Sequence, residues 1–227
     1  MKFGFIIALD EEIEFNRIPW KTKKICNQKY HYLKKGNNEY FLIFSNIGKV
    51  NAANATNIMI NQLGVSSIIN IGTVGAVSKK VKCNQVCIVK FSSYCDVDVT
   101  GFKYEINQIP GESLIYETND KLNQKIKKII KSKTNLSIIE NVKLATSDSF
   151  ITSKNRQKFY IDKSTDIIDM EGTSILQVAN KYKAKVSIIK FVSDNTTNKN
   201  NQKQWEDNVL KIKSNTTKIM EEIINNG

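Results

Sequence analysis

Three carboxylates follow apolar runs that read as strands. Glu12 comes after residues 2–9, Glu171 after 166–170 and Asp194 after 186–192. Side chains at the exits of neighbouring strands can share one cleft. Carboxylates crowded into a partly dry cleft repel, and at least one pKa rises. That places an ionised base beside a protonated acid, the pair that hydrolysis at a sugar carbon needs. A plainer reading stands beside it: acidic residues after strands also cap helices, and Asp10 or Glu11 would do so equally well. Phe150-Ile151 offers either a stacking platform for a flat base or a core aromatic. Gly72-x-x-Gly75 suits a tight strand-to-loop turn where a ligand meets the backbone. It is neither a P-loop nor a GxGxxG fingerprint, so no nucleoside triphosphate or dinucleotide cofactor is implied.

Scarce residue types narrow the chemistry further. His31 is the sole histidine, so Ser-His-Asp and Cys-His catalysis are excluded unless it is the base. Cys83 and Cys87 are four apart with no second pair and no nearby histidine, which predicts no metal site. With Cys26 and Cys95 they are expected to be reduced thiols. The 34 Lys+Arg against 22 Asp+Glu give a formal charge of +12. Only Arg17 and Arg156 are arginines, and Lys, Ile and Asn together make up 90 of the 227 residues. Phosphate and nucleic-acid readers favour the bidentate guanidinium, and the lysines are scattered over every segment. The charge therefore reads as compositional bias, and no nucleic-acid partner is expected. No apolar run approaches the roughly 18 residues of a membrane span. The first apolar run passes straight into Asp10-Glu11-Glu12 without a cleavage site, so it reads as a strand and the protein as cytoplasmic.

The elements that position these residues alternate between strand and helix. Residues 2–9, 67–71 and 86–89 read as buried strands, and 29–35 with 39–45 as a hairpin through Gly36-Asn37-Asn38. Residues 49–63 carry Ala52, Ala55, Met59 and Leu63 at helical spacing. Asp120 can cap a helix whose apolar face is Leu122, Ile126, Ile129 and Ile130. Strands follow at 137–145, 166–170 and 186–192. A helix follows Glu171, carrying Ile175, Val178, Ala179 and Tyr182. The last helix, 205–224, has a core stripe of Trp205, Val209, Ile212, Thr216, Ile219 and Ile223. With no repeat and no linker, the expectation is a single α/β domain over residues 1–227, a three-layer α/β sandwich with a central mixed, mostly parallel sheet.

Taken together, the polar islands resemble the 5′-methylthioadenosine/S-adenosylhomocysteine nucleosidase family of the nucleoside phosphorylase-type superfamily. The resemblance runs nearly end to end. It rests on the opening Lys2-x-Gly4-x-Ile6-x-Ala8 with its acidic run, Ser45-Asn46-Ile47-Gly48-Lys49-Val50-Asn51-Ala52-Ala53, and Asp96-Val97-Asp98-Val99-Thr100-Gly101-Phe102-Lys103-Tyr104 with Pro110-Gly111. Ser147-Asp148-Ser149-Phe150-Ile151, Asp169-Met170-Glu171-Gly172-Thr173 and Ser193-Asp194 complete it in order. The resemblance implies hydrolytic release of adenine from a 5′-thio-substituted ribose, without cofactor or metal. Asp194 would be the general acid at purine N7, helped by Ser193. Glu12 would activate water, and Glu171 would bind the ribose hydroxyls above Met170. Phe150 and the Ile151 backbone would hold adenine. Ala8, Leu9 and Ile47 would line the ribose and thioether side, and Thr73, Val74 and Gly75 the glycine-rich turn. Val99, Phe102, Tyr104 and Pro110 would be lent to a partner's 5′ pocket, so a homodimer is implied.

The sequence departs from the family at that turn, which has Thr73-Val74-Gly75-Ala76 in place of Ser, Ala and two glycines. It departs also at Lys190, where arginine is common, and at Trp205, one position beyond the usual lid aromatic. Two rivals are a phosphate-dependent phosphorylase, against which Asp10-Glu11-Glu12 would repel the anion, and a non-catalytic nucleoside-binding module.

Overall fold

The computed structural model describes residues 1–25 and 27–227, so the thiol expected at Cys26 lies outside the described residues. The first strand, β1 (Lys2–Ile7), alternates its side chains between two cores. Phe3, Phe5 and Ile7 enter one and Ile6 the other, the period of two that a doubly covered strand requires. β2 (Lys21–Ile25) was not visible in the sequence. Its Lys-Thr-Lys-Lys-Ile run is almost wholly exposed and pairs with one neighbour, an edge strand defended by lysines. β3 (Gln28–Lys35) and β4 (Asn38–Phe44) form the expected hairpin, with Gly36 at φ +57° in its turn.

α1 (Lys49–Asn57) runs into a π-turn at Ile58–Gln62, so the expected helix is continuous but widened at its end. β5 (Ser67–Ala76) and β6 (Val86–Tyr94) are each longer than their apolar runs. β7 (Tyr116–Glu117) is a short addition to β6. α2 (Asp120–Lys133) buries Leu122, Ile126, Ile129 and Ile130 as expected, but its cap is Asn119. The Asn119 side chain accepts from Leu122 N at 3.0 Å, while Asp120 already lies within the helix. β8 (Ile138–Thr146), β9 (Ile167–Asp169), α3 (Gly172–Lys181), β10 (Lys185–Asn195) and α4 (Asn201–Asn226) complete the chain. Tyr182 falls beyond α3 and is 47% exposed, so it does not join that helix's core face.

Helices pack on both faces of the central sheet. α1 and α3 cover the core containing Ile6, Ile43, Ile68 and Ile188. α2 and α4 cover the core containing Phe5, Leu42, Ile69 and Ile189. The sheet is mixed, as expected: five strand pairings are parallel and five antiparallel, and the parallel ones are longer on the whole, so most paired residues lie in parallel registers. It does not stay open, however. β5 pairs with both β9 and β10, and β10–β6–β8–β9 completes a ring of five strands. A closed ring needs register shifts, and one falls where β10 passes from Val192 to Asp194 opposite β5. No helix among the described residues is long and apolar enough to cross a membrane.

Candidate functional site

A cavity of about 450 Å³ opens where the ends of β1, β5, β9 and β10 meet the start of α4. All three carboxylates line it: Glu12, Glu171 and Asp194, exposed by 3%, 6% and 2%. Ala8, Leu9 and Ile47 line one side, and Thr73, Val74 and Gly75 another. Phe150, Ile151, Met170 and Ser193 complete the residues expected within one subunit. Val99, Phe102, Tyr104 and Pro110 do not line it; they belong to the irregular segment after β6, where Phe102 is 80% exposed. His31 sits on β3 with its ring against the edges of Phe15 and Phe44, away from the cavity, so it is not the base. Burial, then Lys29, lower its pKa.

Glu12 ends a short 3-10 turn, Asp10–Glu12, that follows β1. Its Oε1 accepts from Thr73 N at 2.7 Å and from the Thr73 hydroxyl at 2.9 Å. Its Oε2 accepts from Leu9 N at 3.3 Å, so the capping reading is true of one oxygen only. The Gly72-x-x-Gly75 segment is not a turn. β5 continues through it because β10 pairs with it as far as Ala76. Its glycines serve close approach instead: a Cβ on Gly72 would lie 3.1 Å from Glu12 Oε1, and one on Gly75 3.2 Å from Asp194 Oδ2.

Asp194 lies within β10 rather than after it. Ser193 is the extra residue of the register shift, and bulges of this kind re-aim the side chains beside them. Asp194 Oδ1 accepts from Ser193 Oγ at 2.8 Å, and Oδ2 from Asn201 Nδ2 at 3.0 Å. Burial raises the Asp194 pKa, and the Asn201 and Ser193 donors oppose the rise without cancelling it.

Glu171 occupies the N-cap position of α3 but does not cap it. Asp169 does: its carboxylate accepts from Gly172 N at 2.9 Å and Glu171 N at 3.3 Å. The Glu171 side chain turns to Gly48 N, accepting at 3.1 Å. Gly48 is at φ +105°, a conformation side chains rarely adopt, and it presents its N–H from the start of α1. Burial, then the neighbouring Asp169, push the Glu171 pKa up to about 7. One carboxylate pKa thus rises as expected, but burial leads and Asp169 contributes more than Glu12 does.

Lys190, 1% exposed, lies behind this floor with Nζ 2.8 Å from Asp169 Oδ2. Burial alone would lower its pKa; Asp169 and Glu171 outweigh that and hold the ammonium raised. Sequence reasoning noted Lys190 only as a departure and did not see its partner. Asn201 and Asp169 were missed as site residues for the same reason, since only the fold brings them to the carboxylates. Trp205 fits the core stripe by spacing and lies one position beyond the usual lid aromatic; it is half-buried on the cavity wall, while Val209, Ile212, Thr216, Ile219 and Ile223 are buried as expected. Arg17 pairs with Glu14 and Glu221, and Arg156 donates to Thr196 Oγ1; neither lines the cavity. Among the described residues no cluster of three or more His, Cys, Asp or Glu could hold a metal ion.

Comparison with known proteins shows the family. Residues 3–225 match the family described as the phosphorylase superfamily. A 5′-methylthioadenosine/S-adenosylhomocysteine nucleosidase of Buchnera aphidicola is 36% identical over 221 residues, covering 92% of this chain and 90% of that protein. The Helicobacter pylori enzyme of the same name, solved with butyl-thio-DADMe-Immucillin-A, superposes with a TM-score of 0.90 at 25% identity, over 99% of this chain and 98% of that one. A futalosine hydrolase mutant of Helicobacter pylori shares the fold, with a TM-score of 0.90 at 23% identity over 99% of each chain. The chain thus belongs to the phosphorylase superfamily and, within it, to the 5′-methylthioadenosine/S-adenosylhomocysteine nucleosidase family.

Proposed function

We propose that the protein hydrolyses the N-glycosidic bond of 5′-methylthioadenosine and S-adenosylhomocysteine, releasing adenine and the 5′-thio-substituted ribose. Adenine leaves poorly as an anion. Asp194, its pKa raised by burial, supplies a proton at N7. The ribose then gains oxocarbenium character, which the carboxylates of Glu171 and Glu12 stabilise in a water-poor cavity. Glu171 accepts hydrogen bonds from the ribose hydroxyls, with Met170 beneath the ring. Glu12 takes a proton from the attacking water at C1′. Phe150 stacks on adenine, and the Ile151 backbone meets its edge.

The observation that carries hydrolysis over phosphorolysis is the charge of the wall. Among the lining residues are five carboxylates, Glu12, Asp169, Glu171, Asp194 and Glu206, against one cation, Lys190, already paired with Asp169. A phosphate nucleophile would meet repulsion and no free guanidinium.

The proposal extends to a cytoplasmic homodimer built on one domain, a three-layer variant of the nucleoside phosphorylase-like sandwich. The unpaired Cys83, Cys87 and Cys95 suit a reducing compartment. Phe102, 80% exposed, and Tyr104, 36% exposed, suit an interface that lends them, with Val99 and Pro110, to a partner's 5′ pocket. An assay of adenine release from methylthioadenosine, S-adenosylhomocysteine and adenosine, with and without phosphate, tests the reading. Release without phosphate and preference for the thio-substituted nucleosides are expected. Obligatory phosphate, or no adenine formed, would overturn it.

A further inference from the structure

The first turns of α4 meet one reacting carboxylate directly, Asp194, and reach the other, Glu12, through Thr73. Asn201, Trp205 and Asn208 are spaced by four and three residues, so they share one helix face. Asn201 Nδ2 donates to Asp194 Oδ2 at 3.0 Å, and Asn208 Nδ2 to the Ser193 carbonyl at 2.7 Å. Trp205 Nε1 donates to Thr73 Oγ1 at 3.1 Å. The Thr73 hydroxyl in turn lies 2.9 Å from Glu12 Oε1.

An indole N–H donates and never accepts. The Thr73 oxygen must therefore accept from Trp205, and its single proton is left for Glu12. With Thr73 N also bound to Oε1 at 2.7 Å, that oxygen is doubly engaged. Oε2, with one contact at 3.3 Å, remains the oxygen better able to take a proton from water. A chain of this kind also polarises itself, each donor strengthening the next. Resting on the assignment of Glu12 as the base, we propose that Trp205 is a positioning residue for Glu12. Its indole fixes the Thr73 hydroxyl as a donor, so one helix end sets acid and base together. In a Phe side chain the ring survives but the direction of the hydroxyl does not.

The test is a double-mutant cycle on adenine release from methylthioadenosine, with kcat and KM measured separately. Trp205→Phe is expected to lower kcat about fivefold with KM within about twofold, and Thr73→Val to lower kcat about tenfold. The double variant should be no slower than Thr73→Val, because the indole acts through the hydroxyl. Thr73→Ser should restore most of the rate. Wild-type kcat in Trp205→Phe, a change confined to KM, or losses that multiply would each overturn the relay. Glu12→Gln separates the two levels of the argument. If it is inactive while Trp205→Phe is unaffected, the relay alone fails. If it stays active, the base assignment fails and the relay with it.

Discussion

Glu12 and Glu171 enter the same cavity, both buried, yet their surroundings differ in kind. Glu12 accepts two hydrogen bonds from Thr73 and one from Leu9. Glu171 accepts one, from Gly48 N, and stands beside Asp169 and Lys190. The wall around Glu12 is held by backbone and hydroxyl donors of β5 and the turn after β1. The floor around Glu171 is held by charge compensation across β9 and β10. Hydrogen bonds fix where a carboxylate points, whereas burial first and neighbouring charges second fix how readily Glu171 ionises. One cavity thus holds a positioned group and a tuned group.

The largest expected effect tests the reacting pair. Glu12→Gln and Asp194→Asn should each lower kcat by about 10²–10⁴-fold in the adenine-release assay, with circular dichroism unchanged. Near-normal turnover in both would remove the functional side of the contrast. Next comes the floor. Lys190→Met leaves Asp169 and Glu171 without their cation and should cost about 3–5 kcal/mol in urea denaturation. Lys190→Arg should lose much less, since the charge remains. A stability unchanged by Lys190→Met would show that charge does not hold this side.

A third measurement uses pH. The folded pKa of Glu171, about 7, lies above its ordinary value of 4.5. The folded state therefore binds the extra proton between those values. Stability from this source is complete below about pH 4.5 and is lost as pH rises through about 7. Glu171→Gln should gain on the wild type by about 3 kcal/mol over that window, and a parallel pair of stability curves would contradict it. Because the ionised form is the one that binds the ribose hydroxyls, kcat/KM should climb with pH through the same region. The smallest effect belongs to the wall. In Gly72→Ala the new Cβ would lie 3.1 Å from Glu12 Oε1, so the carboxylate must shift by a few tenths of an ångström. A loss of about fivefold in kcat is expected, with little change in KM or stability. A loss confined to stability would mean that the position of Glu12 is not under tight control.

Local pattern made much of this molecule readable. The stripe of α2 and the doubly buried strand that the apolar run of β1 implies both appear in the structure. The three carboxylates were legible because strand exits are visible as the ends of apolar runs. What stayed hidden depended on partners. β2 has no apolar alternation, since one edge and both faces meet solvent or lysine. The glycines at 72 and 75 resembled a turn because nothing local reveals that β10 will pair alongside them. Trp205 fits the helical stripe by spacing, but the stripe ends at Val209, and the indole overhangs the cavity instead.

The sequence by itself determined the order of the principal strands and helices, the buried character of most strands, and a chemistry confined to carboxylates. Residue type and period suffice for those, because each is a property of a short segment. Only the tertiary structure decided that the sheet closes into a ring, that a register shift turns Asp194 towards the cavity, and that Lys190 neutralises Asp169. These depend on which strands become neighbours. A charge or a donor acts within a few ångströms, and that distance is set by the fold rather than by separation along the chain.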